Sequence, residues 1–195
     1  MFIHDTPVKR KDEAKAREIL AATIGIVGAH GIAGLSMEAV ARRAGVATGT
    51  LYVYHASKEA LLDAAYLAVK AEVAASVFRD DARPVRPAFL QMAGAYLDYL
   101  VEHRAEVAFM EQVKHSTSLS SETRRAAEQG ARVIYDLLER GKRELLLKPL
   151  ETALMIAFLH GTLRELSWAL GDLPATRRGV LREQIAIVCW DGLKL

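Results

Sequence analysis

The sequence predicts an all-α protein in two unequal parts, a small three-helix N-terminal unit and a larger helical body. Three observations predict it. Every clearly periodic segment has helical period, and no stretch of four to eight residues alternates apolar and polar as a half-buried strand would. The 195 residues are 51% hydrophobic with only 5 prolines, enough to bury a substantial core. One polar break, containing Asp80, Asp81, Arg83, Pro84, Arg86 and Pro87, interrupts the chain and marks a boundary.

The elements follow in order. A first helix is expected over about 11–30, with Ile19, Leu20, Thr23, Ile24 and Val27 in one stripe and Lys15, Arg17 and Glu18 toward water. Gly31 and Gly34 then turn the chain. Ser36 is a suitable N-cap, and Glu38 places negative charge in the first turn of a short helix over 37–44, which Gly45 closes. A second short helix over about 48–55 carries Leu51 and Tyr54 inward. Ser57 caps a long helix over 57–79 whose apolar positions are Leu61, Leu62, Ala65, Leu67, Val69 and Val73. Beyond the break, helices are expected at about 87–103, 105–115, 120–144, 149–171 and 175–193. The last two are the most apolar and carry Trp168 and Trp190. Apolar residues wrap more than one face of each, which asks for partners on two sides: the core alone, or the core and a second subunit. The domains are therefore 1–56, with a linking helix 57–79, and 80–195.

Composition excludes several classes. No apolar run approaches the roughly 20 residues of a membrane span. The first ten residues carry His4, Asp5, Lys9 and Arg10 and show no secretory signal, so a cytoplasmic location is expected. Cys189 is the only cysteine and lies among Ile185, Ile187, Val188 and Trp190, where a thiol packs as a small hydrophobe. Net charge is +2, and the whole excess lies in the first 79 residues, which hold 10 Lys+Arg against 8 Asp+Glu. A nucleic-acid partner is permitted by that balance.

The segment LSMEAVARRAGVATGTLYVYH, over 35–55, joins two short helices through a turn at Ala44, Gly45 and Val46, the sequence form of a helix-turn-helix. Ala41 and Gly45 are small where the helices cross, and Val40, Val46 and Leu51 fill the core beneath. The exposed face of the second helix carries Thr48, Gly49, Thr50, Tyr52 and either Tyr54 or His55. The hydroxyls suit base edges or phosphate, Gly49 allows close backbone approach, and Lys58 adds a salt-sensitive contact to double-stranded DNA.

These residues, extended through ASKEAL, resemble the N-terminal signature of the TetR family of transcriptional regulators in Ser36, Ala41, Gly45, Val46, Gly49, Leu51, Tyr52, Tyr54, Lys58, Glu59 and Leu61. The resemblance implies DNA contacts at Ser36, Met37, Thr48, Thr50, Tyr52, Tyr54 and Lys58, with backbone approach at Gly49. It also implies a homodimer on a roughly palindromic operator, repressing until a small-molecule effector releases it. His55 departs from the pattern by standing where the family usually has Phe; a histidine there either packs neutral or softens the domain when protonated.

In the body, Met92, Tyr96, Tyr99, Phe109, Met110, Tyr135, Met155 and Phe158 are the candidates for an apolar pocket, with Glu111, His115, His160 and Arg164 as polar anchors; the plainer reading of each is a core residue. Glu111 and His115 share a helical face at i, i+4, yet neither HExxH nor ExxH occurs, and no metal or cofactor is expected. Glycines at 25, 28, 31 and 34 follow no strand, and GxGxxG, GxSxG and a phosphate-loop lysine are absent, so an enzyme is not expected. Two rivals stand beside the regulator. One is a helical small-molecule carrier with a vestigial head, which would not need the exposed Thr48, Gly49, Thr50, Tyr52 and Lys58. The other is a nucleoid component that binds DNA without sequence preference.

Overall fold

The computed structural model describes residues 7–78, 83–114 and 116–195, with side chains from Glu13 onward. Asp80 and Asp81 of the expected break, and His115, lie outside the described residues. Among the described residues there are ten α-helices and no strand. They are α1 (Pro7–His30), α2 (Met37–Arg43), α3 (Thr48–Tyr54), α4 (Lys58–Val77) and α5 (Val85–Glu102). The remainder are α6 (Arg104–Val113), α7 (Ser121–Gly130), α8 (Arg132–Arg143), α9 (Thr152–Leu170) and α10 (Ala175–Leu193). Among the described residues no helix is long and apolar enough to cross a membrane.

Most expected helices lie within a few residues of their predicted limits. The first starts earlier than about residue 11, at Pro7, a residue whose fixed φ and missing N–H suit a first helical position. The segment 120–144 departs more: it forms two helices, because the chain turns at Ala131 (φ −86°, ψ 0°) just after Gly130. Leu67 also departs, being 37% exposed rather than buried. The buried line of α4 runs through Leu61, Leu62, Ala65, Val69, Val73 and Val77, and position 67 falls about 200° around the helix from its neighbours 65 and 69.

The chain divides into two compact units. The first comprises residues up to Val69 together with Ala105–Ala126. Its core joins Ile19, Val27, Leu35, Val40, Leu51, Leu61, Leu62 and Ala65 to Phe109 and Val113 of α6 and to Leu119. Thr23 is fully buried on α1 and satisfies its hydroxyl by donating to the Ile19 carbonyl at 2.9 Å. The loop before α7 is closed by Arg124, which donates to the carbonyls of Ser116 (2.7 Å) and Leu119 (3.0 Å), while the Ser120 amide donates to Asp63 of α4 at 3.1 Å.

In the second unit, Lys70–Arg104 and Ala127–Leu195, α5 packs on α8, α9 and α10. Phe89, Leu97, Leu100, Met155, Leu163 and Cys189 are buried there, and Trp190 meets Phe89 edge-on at 5.3 Å. Burial pushes the Cys189 thiol up, which disfavours its thiolate. Arg182 of α10 pairs with Asp98 of α5 at 2.6 Å, its guanidinium lying where any side chain on Gly94 would stand. A polar knot joins α8 to α9: Lys142 reaches Glu139 and Thr152, both at 2.7 Å, and the Thr152 hydroxyl bonds the Glu139 carboxylate. Leu147 and Lys194 form an isolated antiparallel bridge.

Candidate nucleic-acid interface

The geometry of α2 and α3 follows from a few local instructions. Gly31, at φ +69°, ends α1. Ser36 then sits in extended backbone and accepts the Ala39 amide on its Oγ at 3.1 Å, so α2 starts where a side-chain cap satisfies an otherwise orphaned donor. Glu38 lies in its first turn and Arg42 and Arg43 in its last, each matched in sign to the helix dipole. At the far end Gly45 takes φ +65°. The Val46 amide bonds back to the Ala41 carbonyl at 3.0 Å and the Gly45 amide to that of Arg42 at 3.4 Å, the paired bonds of a Schellman turn. That turn sets the direction in which α3 leaves.

Leu51 then anchors α3. It is fully buried with Val40 and Ala41, while Val46 and Tyr54 pack against the same core from its edge. What remains outside is the face with Gly49 exposed, Thr48 and Thr50 half-buried, and Tyr52 49% exposed. Gly49 has open space where a side chain would be. The next helix is capped by Ser57, whose Oγ accepts the Ala60 amide at 3.1 Å, and this places a half-buried Lys58 in the first turn of α4. The carboxyl of Glu59 beside it is held below its usual range, first by its own backbone N–H and then by the Ser57 hydroxyl.

Of the residues expected to meet DNA, Thr48, Gly49, Thr50, Tyr52 and Tyr54 are thus gathered on α3, with Ser36 at the start of α2 and Lys58 at the start of α4. Met37 stands apart: its side chain is 6% exposed and belongs to the core. One exposed residue of α3 was absent from the expected set. Val53 is 84% exposed. Its spacing of four from Gly49 is the signal that would have found it.

The pocket candidates are distributed over both units. Phe109 is fully buried in the first unit with Met110 packed beside it, and Glu111 pairs with Lys114 at 2.9 Å. In the second unit Met92, Tyr99 and Met155 are buried, and the Tyr96 hydroxyl meets Nδ1 of His160 at 2.7 Å. Tyr99 stacks on His103 at 4.2 Å, and Arg164 lies 3.9 Å from Glu165. Tyr135 and Phe158 are exposed; Phe158 stands beside Gly192 of α10.

Comparison with known proteins agrees with this reading of the head. Residues 19–65 match the family described as bacterial regulatory proteins, tetR family. A TetR family transcription regulator from Marinobacter aquaeolei has a similar fold, with TM-score 0.85 and 23% identity over 95% of this chain and 98% of that one. A TetR family protein from Vibrio parahaemolyticus shares 25% identity at TM-score 0.74, covering 93% of this chain and 99% of its own. The fatty acid degradation regulator of Bacillus halodurans is similar in fold at TM-score 0.68 and 20% identity, over 97% and 98% of the two chains. The matched segment contains both short helices, their turn and the start of α4, so it is this N-terminal head that is similar to the tetR family of bacterial regulatory proteins, while the whole chain shares the fold of TetR family transcription regulators.

Proposed function

We propose that this protein is a homodimeric repressor that binds a roughly palindromic operator through α3 and leaves it when a small-molecule effector binds the body. The observation that carries the reading is the outward face of α3, held by a fully buried Leu51 and a Schellman turn, with Gly49 and Tyr52 exposed and Thr48 and Thr50 half-buried beside them. In this reading residues 1–56 read DNA, and Thr48, Thr50, Tyr52 and Tyr54 contact bases or phosphates. Ser36 and Lys58 contact the backbone on either side, and Met37 contributes through its main chain. Residues 57–79 form the link, and 80–195 bind effector and dimerise. The protein works in the cytoplasm, where the DNA is.

Dimerisation is supported by the outer faces of α9 and α10. Leu154, Phe158 and Trp168 on one, and Val180, Ile187 and Val188 on the other, are exposed large apolar side chains. A monomer seldom leaves such a patch in water. For the effector, the buried Met92 and Met155 and the hydrogen-bonded Tyr96–His160 pair are the proposed apolar and polar contacts. Long-chain acyl compounds are the first to test, because a protein of similar fold regulates fatty acid degradation.

The test is selection of duplexes from a random pool by the full-length protein, followed by fluorescence anisotropy on the enriched site. A two-fold symmetric consensus with half-sites about one helical turn apart is expected. Failure to enrich any sequence, with binding that depends on salt alone, overturns the reading. Effector release requires the effector to bind free protein more tightly than protein on DNA, and equal affinities would refute it.

A further inference from the structure

The orientation of α3 gives one of its residues a role of its own. At about 100° per residue, positions 49 and 53 stand one turn apart on the line opposite the buried Leu51. That outermost line is made of a glycine with open space at its missing side chain and a valine that is 84% exposed. Val53 is the most exposed large hydrophobic residue among those described. It therefore contributes little to packing of the head, and its β-branched side chain is a poorer choice for an exposed helix position than alanine, glutamate or lysine.

Base edges in the major groove offer donors and acceptors, which an isopropyl group can only desolvate, and a single apolar group, the C5 methyl of thymine. We infer that Val53 is a specificity-determining residue that packs on a thymine methyl in each half-site, with Gly49 letting the helix backbone come close enough for so short a side chain to reach. This rests on the proposed reading of operator DNA by α3. It adds the identity of one base: an A·T pair faces the outer line of the helix, its thymine methyl toward Val53.

The test uses the full-length protein and the duplex enriched from the random pool. Each thymine is replaced in turn by deoxyuridine, which deletes only the C5 methyl. One thymine per half-site is expected to weaken wild-type binding about fourfold, the factor for one methyl-sized group returned to water, and about 15-fold when both half-sites are changed. Val53→Ala should melt at or slightly above the wild-type temperature, since the side chain it truncates packs on little in the head and alanine is the better helix former, and should bind thymine and uracil duplexes equally. If every uracil substitution affects wild type and Val53→Ala alike, the assignment of Val53 is overturned while operator binding stands. If the pool yields no consensus, operator reading and this inference fall together.

Discussion

His55 sits at the C-terminal cap of α3, its amide bonded to the Leu51 carbonyl at 2.9 Å, and burial lowers its imidazole pKa below 6.5. The folded protein thus favours the neutral ring while the unfolded chain takes a proton more readily. His55 contributes stability that is fully present above the unfolded value and lost as pH falls through the folded one. Between pH 7.5 and 5.5 the wild type should lose more thermal stability than His55→Phe, as followed by circular dichroism. Glu59, whose carboxyl is depressed, loses its contribution only below its ordinary 4.5 and does not enter this window. At the same scale, Lys58→Ala should weaken operator binding across sequences and flatten the plot of log affinity against log salt by about one per contact. Titrations at several salt concentrations would measure it, and an unchanged slope would remove Lys58 from the interface. The oddness of His55 was legible only through the family resemblance, which implies a Phe at that position. The burial of Met37 was not, since a residue at the first turn of a seven-residue helix belongs to no stripe long enough to show which way it faces.

The short elements were the most legible, because their limits are written in local chemistry. Ser36 and Ser57 accept amides from their own helices' first turns, and Gly45 takes the positive φ that ends α2. No atom stands within 4 Å of the place where a Cβ on Gly45 would be, so substitution there meets a conformational cost with no clash. Gly45→Ala is expected to destabilise the protein by about 1–2 kcal/mol and Gly45→Asn by less, in urea unfolding, because asparagine tolerates the left-handed region better. An equal loss from both variants would point to crowding instead. The longer elements were less legible. Periodicity ran through Gly130 and Ala131 without a break, although α7 and α8 part there. A single glycine followed by alanine is tolerated in a helix often enough that only tertiary context decides.

For the molecule as a whole, sequence could report that the chain is helical throughout and which helices are the most apolar, but not which apolar residues meet. Phe109 and Met155 read alike along the chain, yet each is fully buried in a different compact unit. The outer faces of α9 and α10 make the proposed dimer testable: Phe158→Glu or Val188→Glu places a charge on a surface already open to water in one subunit, so each variant should fold. Sedimentation equilibrium should show a shift toward monomer, with operator affinity falling as the two heads are uncoupled; persistence of a dimer in both variants would move the interface elsewhere. A final consequence concerns the end of α10. The Lys148 amide donates to the Leu193 carbonyl at 2.9 Å, the Leu195 amide to Leu146 at 3.1 Å, and the Lys148 ammonium to Gly192 at 2.8 Å. These cross-links make α10 a beam clamped at its C-terminal end. Sliding or rolling of that helix must break them, so compliance is left to the end near Ala175, and amide exchange in the second unit should be slowest at Lys148 and Leu195 relative to neighbouring loop amides.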